Sequence, residues 1–138
     1  MLNAIGRAVG VTLLQPLSAD TGTVGTGKDL SNAAGAFGKM EGTGLLVISA
    51  GTATNGGTIK VKFEHSDSVG AGYVTATHVN TGGGNGDGFS ETTTGSFQQL
   101  QYFVDLSKTK RFIRASSVLV AGDGVDLSCV LIGFKKVG

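Results

Sequence analysis

Tryptophan is missing from this 138-residue sequence, and cysteine and proline occur once each. A single cysteine, Cys129, excludes an intramolecular disulfide. It lies inside the apolar run 125–134, where a cysteine behaves as a small buried hydrophobe. Charge is scarce too. Asp, Glu, Lys and Arg make up 15% of the chain, against ~25% in an average globular domain. Much of the surface must therefore be Thr, Ser, Asn and Gly, which suits a protein that ends up covered by neighbours, since few ions then need desolvating. The net charge of +1 lacks the basic stripe of a dedicated nucleic-acid binder. No apolar run approaches the ~18 residues of a membrane-spanning helix. The start, Met1 to Arg7, has no basic segment leading into a full apolar stretch, so synthesis and folding in a cytosol are expected.

What the chain has in quantity is glycine, 24 residues, and period-2 alternation. In Thr58 to His65, Ile59, Val61 and Phe63 point one way, and Lys60, Lys62 and Glu64 the other. That is a strand with one face on a core and one in water. Leu45 to Ile48 is a short apolar run between glycines, expected to be a strand covered on both faces. Val9 to Leu14, Tyr73 to Val79, Phe97 to Leu106, Arg111 to Val120 and Val125 to Phe134 complete the set. Polar Ser107 to Lys110, then Ala121-Gly122-Asp123-Gly124, read as hairpin turns, making the last three strands a continuous antiparallel meander. About seven or eight strands at this spacing predict an all-β fold, an antiparallel β-sandwich of jelly-roll-like form. Leu30 to Met40 could make one helical turn, weakened by Gly35 and Gly38.

Two stretches stand apart. Residues 1–40 read as an N-terminal arm and glycine-rich segment packed on the domain. Residues 41–138 form the sandwich core, interrupted by a long loop at 80–96. Loops this long within compact domains usually bind something or stay disordered, and their glycines raise the cost of ordering.

Motifs with chemical content dissolve on inspection. Gly22-Thr23-Val24-Gly25-Thr26-Gly27-Lys28 has the spacing of a phosphate-binding loop, but Asp29 stands where a Ser or Thr must hold magnesium, and no helix follows. Asn85, Asp87 and Glu91 miss the register of calcium-binding glycine repeats, which need stacked copies. Two histidines, His65 and His78, and one cysteine make a poor zinc set. His65 shares the parity of Ile59, Val61 and Phe63, so a hydrogen-bonded core or rim histidine is expected. No Gly-x-Ser-x-Gly elbow occurs. Glu41, Glu64 and Glu91 are the only glutamates, and Tyr73 and Tyr102 the only tyrosines on which a sugar could stack. Phe97, Phe103, Phe112 and Phe134 read as core. The basic cluster Lys108, Lys110, Arg111 and Arg114 reads as a solvated turn, with a phosphate or acidic partner as the alternative. No catalytic residue, metal ligand or cofactor is assigned, and the chain is not expected to be an enzyme.

Lys60-Val61-Lys62-Phe63-Glu64-His65-Ser66-Asp67, then Val104-Asp105-Leu106-Ser107 leading to Lys110-Arg111-Phe112-Ile113-Arg114-Ala115, resembles a group of small virion proteins of tailed bacteriophages. In that group a strand ending in Glu-His-Ser-Asp precedes a variable loop, and a later Lys-Arg-aromatic strand runs into a final apolar hairpin. The similarity spans roughly residues 58–134; the loop at 80–96 is longer than the group's pattern, and the first 40 residues match nothing in it. The closest character is that of a capsid cement, or decoration, protein. The resemblance implies a homodimer or trimer made in the host cytoplasm and bound to the outside of the virion head, where it joins neighbouring major capsid proteins without touching nucleic acid or membrane. A useful cement needs contact area, ~800 Å² per partner for a standard interface, and extended segments supply it from a small body. Residues 1–31 and 80–96 are the expected reaching segments. Candidate interface residues are Leu2, Ile5, Arg7, Val9, Val11, Asn85, Asp87, Phe89, Lys108, Lys110 and Arg111. A carbohydrate- or receptor-binding β-module and a tail or connector component are the alternatives.

Overall fold

In a computed structural model of the chain, residues 8–31, 40–53, 58–76, 89–92 and 98–135 are described. Their strands are β1 (Ala8–Asp20), β2 (Lys28–Asp29), β3 (Met40–Ala53), β4 (Thr58–Ser66), β5 (Val74–Thr75), β6 (Phe89–Thr92), β7 (Gln98–Asp105), β8 (Phe112–Ala121) and β9 (Val125–Lys135). A 3-10 turn, Leu106–Lys108, follows β7. All pairings are antiparallel and fall into two sheets. One has the order β1-β9-β3-β7; the other runs β2-β8-β4, with β5 and β6 both on the far side of β4. β5 pairs with Glu64 and His65, and β6 with Thr58 to Val61, so the two share one edge position. Counted that way, the order is that of a jelly roll, the double Greek key used by viral capsid and lectin domains and by cupins. The expected β-sandwich is the fold found.

The core lies between the sheets. Val11, Leu14, Leu46, Ile48, Leu127, Cys129 and Leu131 from one sheet meet Ile59, Val61, Phe63, Ile113 and Ala115 from the other, all at most 2% exposed. Each large apolar side chain so buried contributes about 1.5–3 kcal/mol. The alternation read at Thr58 to His65 holds: Ile59, Val61 and Phe63 are inside, and His65 follows them, with Nδ1 accepting the backbone N–H of Lys110 at 3.2 Å.

Several expectations change. The meander is absent, because β7 pairs with β3, β8 with β2 and β4, and β9 with β1 and β3. The turn at Ala121 to Gly124, with Gly122 at φ 72°, carries the chain from one sheet to the other. Leu45 and Val47 are not covered: only Leu46, Ile48 and Ala50 face the core, and the alternate residues lie on a half-exposed outer face. Phe103 and Phe134 are also outside, 68% and 39% exposed, and Phe112 is half-buried. Phe97 lies outside the described residues, as do residues 32–39 of the suggested helical turn.

The division at residue 40 does not hold for residues 8–31. β1 runs alongside β9 from Ala8 opposite Phe134 to Asp20 opposite Val125, and Val11, Leu13, Leu14 and Leu30 belong to the core. The stretch 80–96 likewise contains β6, paired with β4; its remaining residues lie outside the described set.

Between β1 and β2 the chain turns a corner from one sheet to the other. Asp20, 5% exposed, accepts hydrogen bonds from the Gly22 N–H (3.0 Å), the Thr23 hydroxyl (2.9 Å) and the Ser117 hydroxyl of β8. The Ser117 hydroxyl also accepts the Thr23 N–H at 2.8 Å, and the Ser117 N–H donates to the Thr23 carbonyl at 2.8 Å. Two residues on, the Gly25 N–H donates to the Ala115 carbonyl at 2.8 Å. This ladder ties the corner onto the edge of β8.

Candidate interaction surface

The outer faces of the two sheets differ in kind. On the β2-β8-β4 sheet the outward residues of β4 are charged, Lys60, Lys62 and Glu64, and β8 adds Arg114 on the same face as the uncharged Phe112, Ser116 and Val118. The Arg114 Nε donates to Glu64 at 2.8 Å, and Ser116 donates to the same carboxylate at 2.9 Å. The Arg114 guanidinium also lies 4.0 Å from the centre of the Tyr73 ring.

The β1-β9-β3-β7 sheet presents the opposite character. Register places Phe103, Leu45, Ile132 and Gly10 in one row across its four strands. The next row is Gln101, Val47, Val130 and Thr12, and the one beyond runs through Gln99, Ser49 and Ser128. Residues opposite one another in a sheet share a face, so all of these point away from the core. None is charged. Asp105 and Asp126 stand at the two ends of this face, and Glu41 is paired opposite Phe134. Phe103 and Ile132 are exposed, Leu45, Val47 and Val130 half-exposed, and Phe134 extends the patch past Ile132. A contiguous apolar centre with a polar border, charged only at its margins, on a sheet face that nothing in the chain's described residues covers, is the composition of an interaction surface.

Those of the sequence-based candidates that are described fall elsewhere. Leu2, Ile5, Arg7, Asn85 and Asp87 lie outside the described residues. Val9 is half-buried against the core, and Val11 is 1% exposed with its side chain inside, so it offers nothing to a partner. Phe89 is in β6 opposite Val61. Each cation of the basic cluster has a carboxylate: Lys108 has Asp105 at 3.7 Å, Lys110 has Asp67 at 3.0 Å, and Arg111 grips Asp29 through two bonds of 3.0 and 2.8 Å. The Arg111 hydrogen bond is the main cause holding the Asp29 carboxyl below the usual carboxylate range. Pairing of this sort fits the solvated-turn reading, and such exposed pairs contribute little to stability.

Asp29 also disposes of the phosphate-loop look-alike. The segment Gly22 to Lys28 runs into strand β2 rather than a helix, and the residue after Lys28 is already occupied by Arg111. Nor do the tyrosines offer open rings: Tyr73 lies against Arg114 and donates its hydroxyl to the Val69 carbonyl (3.0 Å), while Tyr102 packs against the core. Among the described residues, no group of His, Cys, Asp and Glu could hold a metal ion, and no helix is long and apolar enough to cross a membrane.

The apolar outer row went unrecognised in the sequence because its residues are those of a core. The missing signal was in Leu45 to Ile48, where apolar residues occupy both parities. Cys129, in contrast, is where it was expected, fully buried, and burial pushes its thiol up to about 12. A thiol so protonated and enclosed should be inert. Iodoacetamide at about pH 8 is expected to leave the folded protein unlabelled and to label it fully in denaturant, read by intact mass; rapid labelling of the folded chain would show that β9 opens locally.

No family model matches the chain, and no curated protein matches it. Among solved structures, the coat protein of Tobacco streak virus is similar, with a TM-score of 0.40 and 12% sequence identity over 99% of this chain and 90% of that chain.

Proposed function

We propose that this chain is a virion structural protein, a capsid cement or decoration protein that lays the outer face of its β1-β9-β3-β7 sheet against neighbouring major capsid proteins on the outside of a phage head. The observation that carries the reading is the charge-free centre of that face, three rows deep, with Asp105, Asp126 and Glu41 only at its margins. A solvated sheet face ordinarily carries ions, as the opposite face of this sandwich does, whereas interface centres are depleted of them. The jelly-roll strand order is compatible with the same role, since capsid domains are among its uses, although a fold alone assigns no function. The scarcity of charge over the whole chain and the resemblance of residues 58–134 to small phage virion proteins lend further support. The reading gives the chain no catalysis. Glu64, the one glutamate whose side-chain contacts are described, is engaged by Arg114 and Ser116.

A density map of intact particles tests placement directly: fixed, symmetric copies on the shell are expected, with this sheet facing the coat subunits. Copies confined to the tail or connector would overturn the cement assignment. The face is tested by mutation. Phe103→Asp puts a charge into the patch at a position too exposed to unfold the domain. It should weaken attachment to heads stripped of this protein at least ~30-fold, since a buried aromatic anchor carries about 2 kcal/mol or more. Lys60→Glu, on the other sheet, should bind as the wild type does. Equal co-sedimentation of Phe103→Asp and wild type would remove this face from the interface.

A further inference from the structure

We infer that the free edge of β7 is a self-association edge, pairing antiparallel with β7 of a second copy to join two four-stranded sheets into one. The inference goes beyond attachment to a shell, because it needs no shell. It begins with how the sandwich treats its four edges. An exposed edge strand is a template for pairing, and proteins blunt it with short strands, bulges, proline, charge or a covering segment. Three edge positions here are blunted. β2 and β5 have two residues each and β6 has four. β1 is long, but three register shifts break it, Pro16 sits in it, and Gly25 of the following segment lies against the Leu13 carbonyl.

Among the described residues, β7 has no such protection beyond a single charge at its end. It has eight residues, pairs with β3 in unbroken register from Asp105 opposite Thr43 to Gln98 opposite Ala50, and among the described residues pairs with no other strand. It has no proline and no Lys or Arg, and its one charge, Asp105, stands at the last position.

Charge and parity then fix the geometry. A twofold axis makes an edge-to-edge contact isologous and closed, so it stops at a dimer, and two copies of one strand meet antiparallel. Directly opposed residues must share a face. Phe103 must therefore stand opposite another outward residue, which requires the axis to pass through a residue and not between two. An axis through Tyr102 engages residues 99–105 and sets Phe103 opposite Gln101 and Asp105 opposite Gln99. An axis through Gln101 engages 98–104 and sets Phe103 opposite Gln99. Neither arrangement opposes two charges of like sign, and both join the outer face of one copy to that of the other. The occupant the edge fits is thus a second copy of this chain.

The test is sedimentation equilibrium of the isolated wild-type chain, from micromolar to millimolar concentration, with hydrogen exchange measured at both extremes. A reversible dimer is expected, with amide protection in residues 98–105 rising on dimerisation. Gln101→Lys, at an exposed outward position, should weaken the dimer about fivefold by bringing two like charges close across the axis, while its circular dichroism stays that of the wild type. A chain that remains monomeric throughout overturns the inference, and so does a dimer whose protection rises elsewhere. Either result leaves the head-attachment assay to decide the docking face separately. A dimer protected at 98–105 that fails to bind heads would uphold the edge and sink the cement reading.

Discussion

Replacing Gly25 with alanine should cost about 3 kcal/mol of folding stability and lower the melting temperature by about 10 °C for a domain of this size. A Cβ at this position would lie 2.4 Å from the Ala115 carbonyl oxygen and 2.5 Å from that of Leu13. Both obstacles are backbone, one in β8 and one in β1, so neither can rotate aside as a side chain would. Relief requires the corner segment to lift off, and that breaks the Gly25 N–H bond to Ala115. Gly10→Ala is the control. Its Cβ would meet only Val130 Cγ1, at 3.7 Å, an ordinary contact on the outer face, and stability should stay within about 0.5 kcal/mol of wild type. Thermal and urea unfolding of the two variants side by side decides the matter. If Gly25→Ala melts within ~2 °C of wild type, the segment is not wedged between the sheets.

The second large effect is expected at Asp20. Its carboxylate accepts hydrogen bonds from Gly22, Thr23 and Ser117 while 5% exposed. Asp20→Ala leaves three donors without their acceptor, the Ser117 hydroxyl in a buried position and the Gly22 and Thr23 groups part-buried. Hydrogen bonds to a charged group are worth ~1.5–3 kcal/mol each, and buried donors left unpaired are costly, so a loss of about 3–4 kcal/mol is expected. Asp20→Asn keeps one acceptor oxygen, enough for the Gly22 N–H and the Thr23 hydroxyl that share Oδ1. It should recover most of the loss, to within about 1 kcal/mol of wild type. Urea denaturation reads both. An Asp20→Ala variant within about 0.5 kcal/mol of wild type would show that the corner gains nothing from this acceptor.

These two residues show where a sequence reading runs out. Asp20 and Gly25 read from the sequence only as parts of an N-terminal glycine-rich segment, because the groups they meet are distant: Ser117 and Ala115 lie some 90 positions away along the chain. Local signals survived well. The parity of Ile59, Val61 and Phe63, the inward His65 and the buried Cys129 each follow from a residue's immediate neighbours. Pairing did not survive. Ala121-Gly122-Asp123-Gly124 has the chemistry of a hairpin turn, and the same residues, with Gly122 at positive φ, serve equally well to swing a strand across to the opposite sheet. Turn chemistry reports that the chain reverses, not which strand it then meets. The outer apolar row was hidden for a related reason. Leu45, Phe103 and Ile132 are chemically core residues, and only the sheet order shows that no second layer among the described residues covers them.

The strand order also sets a timetable for synthesis. β9, the last described strand to leave the ribosome, lies between β1 and β3 in the middle of its sheet, and it is the only described strand with which β1 pairs. Until residues 125–135 emerge, β1 has no ladder and the apolar faces of β1 and β3 cannot close over the core. At ~5–20 residues per second, the nascent chain spends several seconds in that open condition, with the unblunted β7 already made. A chain truncated before Val125 should therefore collect in aggregates rather than as a smaller folded domain, and crowded ribosomes on one message would bring such open chains together before any of them can finish.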